Sequence, residues 1–110
     1  MNKIAVVITP NGDAAKVSEI SLRSLQTAVG GWVQAVDLDD DLTIWVNEEG
    51  KIEGLPVNPI ATRLWEKYIG AGTDIIVGTA VFTGGTDEDG ETLGLADDKV
   101  AMLMASVERL

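Results

Sequence analysis

The sequence predicts an α+β fold, a single domain over residues 1–110 in which a mostly antiparallel sheet carries about three helices. Three observations predict it. Short β-branched or alternating runs end at turns rich in Pro, Asn, Asp and Gly. Three other segments carry helical spacing, each with a capping or dipole-complementing residue at its start. A chain of 110 residues, 45% apolar and without Cys or His, is long enough for one hydrophobic core and too short for two.

Lys3 to Thr9 is dominated by Ile and Val and stops at Pro10-Asn11-Gly12-Asp13, which predicts the first strand and a turn. Ala15 to Ile20 alternates loosely and is expected to return antiparallel to it. Ser21 is suited to cap a helix over Leu22 to Val29, where Leu22, Leu25, Gln26 and Val29 share a face and Gly30-Gly31 ends it. Trp32 to Leu38 alternates again, Asp39-Asp40-Asp41 turns the chain, and Leu42 to Val46 forms the next strand. Asn47-Glu48-Glu49-Gly50-Lys51 reads as a turn that continues this meander toward Ile52.

Asn58 followed by Pro59 is a helix start, and Ile60, Leu64, Trp65 and Tyr68 trace an apolar stripe that ends at Gly70. Asp74 to Phe82 is the most continuous apolar run, which predicts a mid-sheet strand covered on both faces. Thr83 to Gly94 holds four glycines and four acids and reads as a mobile surface loop, the main part of an acidic connection over 83–96. Asp97-Asp98 complement the dipole of a final helix over 97–109, with Val100, Leu103, Met104 and Val107 on one face. Trp32, Trp45, Trp65, Tyr68 and Phe82 are expected in the core.

The formal net charge of −10 sits in two stretches. Asp37, Asp39, Asp40, Asp41, Glu48, Glu49 and Glu53 against Lys51 give −6, and Asp87, Glu88, Asp89, Glu91, Asp97 and Asp98 give another −6. Such a field repels phosphate backbones and anionic lipid, so neither direct nucleic-acid binding nor membrane binding is expected. A basic partner or a cation is attracted instead. The lack of His and Cys removes Ser-His-Asp triads, thiolate nucleophiles and the common zinc sites. The apolar run after Met1-Asn2-Lys3 is too short for a secretory signal, and the expectation is a cytoplasmic protein.

Neither a cofactor nor a metal site is expected. Asp87-Glu88-Asp89-Gly90-Glu91 resembles a fragment of a calcium loop, but with Gly90 as its sixth position the first and twelfth fall on Gly85 and Ala96, which carry no carboxylate. Gly84, Gly85, Gly90 and Gly94 lack the spacing of a phosphate-binding loop and stand among anions.

Leu25-Gln26, Val29-Gly30-Gly31 with Val33, Asn47-Glu48-Glu49-Gly50-Lys51, Gly54-Leu55-Pro56-Val57-Asn58, Ala61-Thr62 and Ile76-Val77-Gly78 form a connected string of motifs. The string resembles a family of small uncharacterised proteins from phages, plasmids and bacteria, a domain of unknown function, over roughly residues 3 to 82. The resemblance implies mobile-element biology and supplies no catalytic residues. Residues after Gly84 lie outside its pattern.

Two functions follow as expectations, neither of them enzymatic. The first is an acidic interaction protein that binds a host protein with a basic surface, in an anti-defence or nucleic-acid-mimic role, through Asp39, Asp40, Asp41, Asp87, Glu88, Asp89 and Glu91. The second is a small-ligand or nucleotide-binding module whose groove is lined by Asn47, Glu48, Lys51 and Asn58. Uncovered strand edges would allow a homodimer.

Overall fold

The computed structural model describes residues 2–108. Its strands are β1 (Ala5–Ile8), β2 (Ala14–Val17), β3 (Val33–Asp39), β4 (Leu42–Asn47) and β5 (Ala80–Thr83), and its helices α1 (Leu22–Val29), α2 (Pro59–Tyr68) and α3 (Asp97–Glu108). The strands pair antiparallel throughout in the order β2-β1-β5-β4-β3. An α+β fold with an antiparallel sheet and three helices is therefore what this chain adopts.

Local chemistry sets the first elements. Thr9 N–H donates to Asp13 O at 2.9 Å and Gly12 N–H to Thr9 O at 3.0 Å, with Gly12 at φ 88°, so the chain reverses between β1 and β2. Ser21 and Ser24 form a reciprocal capping box at the start of α1. Gly30 closes that helix at φ 80°, a left-handed conformation that costs glycine nothing, while its N–H bonds Gln26 O.

Strand alternation divides the sheet into two faces. On one, Val6, Ile8, Ile44 and Phe82 pack against Ile60, Ala61 and Leu64 of α2 and Leu103 of α3. On the other, Ala5 and Val81 meet Leu25 and Val29 of α1. Full burial of each large aliphatic or aromatic side chain stabilises by about 1.5–3 kcal/mol, and the larger set lies under α2 and α3. The helix predicted to reach residue 109 is seen to Glu108, and Arg109 lies outside the described residues. Among the described residues no helix is long and apolar enough to cross a membrane.

Four expectations are corrected. The strand predicted over Asp74 to Phe82 is regular only from Ala80, although it is central and fully buried as expected. Gly78 at φ 75° bends the chain, and a β-carbon there would lie 2.8 Å from Leu55 Cδ1, so the bend is filled by a residue from another segment. The backbone before the bend bonds residues 56–58: Asn58 N–H donates to Ile76 O at 2.8 Å and Gly78 N–H to Pro56 O at 2.7 Å.

The acidic turn after β4 leads to no further strand. It coils through residues 47–55, with Glu53 N–H on Glu49 O at 2.9 Å and Leu55 N–H closing on Gly50 O at 3.0 Å.

Residues 84–93 form an ordered miniature hairpin rather than a structureless loop. Gly84 N–H donates to Leu93 O at 3.0 Å, Leu93 N–H to Gly85 O at 2.8 Å, and Thr86 bridges Thr92. One Asp87 oxygen accepts from the N–H groups of Asp89 and Glu91, each at 2.9 Å, so this acid builds the tip.

Trp32, expected in the core, is 67% exposed, whereas Phe82 is fully buried and Trp45, Trp65 and Tyr68 are half-buried.

Candidate functional site

The β3–β4 hairpin places its turn, with Asp39, Asp40 and Asp41, at the end of the sheet from which β5 leaves, because Thr43 pairs with Thr83. The chain then passes directly under that turn. A β-carbon on Gly85 would overlap the Asp40 carbonyl oxygen, so only glycine permits this approach. Asp37, Asp39, Asp40, Gly85 and Thr86 line an open cleft of about 510 Å³ between the two segments. The first turn of α3 brings Asp97 and Asp98, and Lys99 Nζ lies 3.6 Å from Asp41 Oδ1.

Hairpin turn, miniature hairpin and helix start thus share one end of the molecule. Their carboxylates are exposed except for those of half-buried Asp87. Asp37 also accepts from Thr43 Oγ1 at 3.0 Å, which fixes it on the sheet. Desolvation pulls the Lys99 pKa down, but the charges of Tyr68, Asp41, Asp98 and Asp39 outweigh it, and the net displacement is upward. Among the described residues no three of these acids are grouped so as to hold a metal ion.

The charge is not gathered on a single face. Glu48, Glu49 and Glu53 follow the far end of β4 and lie at the opposite end of the sheet. Asp37, Asp39, Asp40, Asp41, Asp87, Glu88, Asp89, Glu91, Asp97, Asp98 and Lys99, gathered at the acidic end, sum to −9.

At the opposite end Asn47, Glu48 and Lys51 line a small cleft of about 130 Å³, together with Gln34, Ile52 and Ile75. The sequence pointed to the first three and carried no signal for Gln34, Ile75 or the neighbouring Asp74, which the fold supplies from other segments. Asn47 serves as a clamp: its Nδ2 donates to Val29 O and Glu53 Oε1, each at 3.3 Å, and its Oδ1 accepts from Glu49 N–H at 2.8 Å.

Asn58, expected in the same groove, is fully buried and does not line it. Its Oδ1 caps α2 by accepting from Ala61 N–H at 3.1 Å, and its Nδ2 donates to Ile8 O at 2.9 Å and Gly78 O at 3.0 Å. All of its side-chain hydrogen-bonding groups are engaged by the fold.

Lys51 Nζ pairs with Asp74 Oδ1 across the mouth of the small cleft. The hydrogen bond from Lys51 holds the Asp74 carboxyl below its ordinary pKa against partial burial, which raises it, and the Ile75 N–H and the Lys51 charge add to the lowering. A depressed carboxylate stabilises the fold above its unfolded pKa, and that contribution is lost as pH falls through the folded value. Solvent screens the pair, since Asp74 is 36% exposed. Asp74→Asn is expected to cost no more than about 1 kcal/mol at pH 7 and nothing once wild-type Asp74 is protonated, well below pH 4. Urea unfolding of both proteins at neutral and acid pH measures this, and equal stability at pH 7 would show the pair to be energetically silent.

A family model described as a domain of unknown function (DUF3846) matches residues 1–108. The match takes in the acidic hairpin and α3, which the string of sequence motifs leaves out. No curated protein matches the chain, and no solved structure matches it.

Proposed function

We infer that this chain, which belongs to the DUF3846 family of domains of unknown function, is a non-catalytic binding protein that docks its acidic end on a basic surface of a host protein. The observation that carries this reading is the contact of Gly85 with the Asp40 backbone, which joins two acidic segments distant in the chain into one surface. A net −9 equals the charge on about 15 Å of duplex DNA at one charge per roughly 1.7 Å. That is enough to occupy part of a basic nucleic-acid cleft, and it supports a mimic or anti-defence role in a phage or other mobile element, acting in the cytoplasm. The reach is shorter than the −12 of both stretches together would allow, because the 48–53 glutamates face away.

Binding by exposed charge depends steeply on salt. Capture of basic host proteins is expected to fall by about a hundredfold or more between roughly 50 and 200 mM salt. A variant with Asp39, Asp40, Asp41, Glu88, Asp89 and Glu91 changed to their amides should lose capture even at low salt. A salt-independent partner, or full capture by the neutralised variant, would overturn the reading.

The small-ligand alternative gains no support from the geometry. Its cleft of about 130 Å³ is well below the 300–1,000 Å³ usual for small-molecule sites, and Asn58 is not part of it.

A further inference from the structure

We propose that the end of the sheet opposite the acidic turn is a second docking surface, shaped to take an aliphatic side chain carried on a cationic segment of a partner. It arises where the sheet splits. β4 and β5 pair only from Thr43–Thr83 to Trp45–Val81, after which the bend at Gly78 takes residues 74–77 away to meet Val57. The small cleft is the gap this leaves.

Two exposed aliphatic residues from separate segments line it, Ile52 (85% exposed) and Ile75 (54%), and exposed Val57 (52%) bridges Val77 of its wall. Trp32 lies at the same end, its carbonyl accepting from Glu48 N–H at 2.8 Å. Single exposed apolar residues are ordinary, but several gathered beside a cleft are the composition of a contact site. The turn that presents Ile52 is held by its own backbone bonds, by the Asn47 clamp and by the Lys51–Asp74 pair. Little conformational freedom remains to be lost on binding, which favours affinity.

Charge selects the occupant. Glu48 lines the cleft and Glu49 and Glu53 are exposed in the same turn, while Lys51, the cation of the cleft lining, is engaged by Asp74. A second copy of this chain brings −10 of its own and is repelled at long range. The complementary ligand is an apolar residue between lysines or arginines, and the narrow cleft admits a single side chain. This surface is independent of the acidic end, and either can fail without the other.

The test titrates three capped hexapeptides, Lys-Lys-Leu-Leu-Lys-Lys, Lys-Lys-Ser-Ser-Lys-Lys and Glu-Glu-Leu-Leu-Glu-Glu, against the full chain, observing methyl resonances of Ile52, Val57 and Ile75. The lysine–leucine peptide is expected to shift these methyls saturably and to bind about tenfold more tightly than the serine peptide. The glutamate peptide should leave them unmoved. Ile52→Ser, at an exposed position that folding does not need, should abolish the preference for leucine.

Equal binding of the leucine and serine peptides overturns the proposal, as does response to the glutamate peptide. Shifts confined to residues 39–41 and 87–91 also overturn it while leaving the acidic-end reading intact. Methyl shifts that vary with protein concentration alone would assign the surface to self-association instead.

Discussion

Asn58→Asp is expected to destabilise the protein at pH 7 by about 3 kcal/mol or more and to recover much of that loss on acidification. The replacement keeps the shape and the oxygen that caps α2. It removes both donors, and an ionised carboxylate would then face the carbonyls of Ile8 and Gly78, now 2.9 and 3.0 Å from Asn58 Nδ2, at a fully buried position. Each orphaned buried polar group costs about 1–3 kcal/mol, and a buried unpaired charge costs more. The introduced carboxyl therefore has a folded pKa above its unfolded value of about 3.9. For a raised carboxylate the penalty is complete above the folded pKa, shrinks as pH falls through it, and is gone below the unfolded pKa. Asn58→Ala supplies the contrast, a loss of similar order that does not vary with pH. Urea unfolding of the three proteins from pH 7 to about pH 4 separates the cases. Parallel pH profiles for the two variants would mean that Asn58 does not donate to these carbonyls.

The same residue shows what a linear sequence carries. Asn58-Pro59 is legible as a helix start because capping is local, decided by residues within one turn. The two bonds that make Asn58 the junction of β1, the Gly78 bend and α2 are long-range, and nothing in the neighbouring residues announces them. The first hairpin and α1 with its Ser21 and Gly30 caps are legible for the same local reason. The break in the predicted 74–82 strand was not, because Gly78 bends under Leu55, whose position depends on the folded 47–55 turn.

Composition misled where it was read as mobility. The glycines of 84–94 resemble a flexible linker, yet a β-carbon on Gly84 would strike the Gly94 backbone and one on Gly94 would strike Asn2, so what these two provide is close approach. Alternation through Trp32 set a period but not a cover, and the residue is 67% exposed. Of the candidate site, the acidic residues were plain from the sequence. Their division between two ends was not, since it depends on the direction of β4 and on which strand lies beside it.

Gly85→Ala is expected to disable the acidic end without altering its charge. The added methyl would overlap the Asp40 carbonyl oxygen, a backbone atom that cannot rotate aside, so the hairpin turn and the 84–93 hairpin must move apart. Overpacking of this kind costs about 1–3 kcal/mol. Gly30→Ala is the appropriate comparison: the position is at φ 80° with nothing within 4 Å of a β-carbon, so its cost is the conformational one alone, about 1–2 kcal/mol. With similar losses of stability, only Gly85→Ala should speed hydrogen exchange at the Gly84 and Leu93 amides, which bond Leu93 O and Gly85 O and hold the miniature hairpin. If binding depends on the joined surface rather than on net charge, Gly85→Ala should weaken capture of a basic partner nearly as far as neutralising the acids does, while Gly30→Ala leaves it unchanged. The net charge of −10 is the same in all three proteins, wild type included. Undiminished capture by Gly85→Ala would therefore reduce the acidic end to a diffuse field, in which the placement of individual carboxylates has no part.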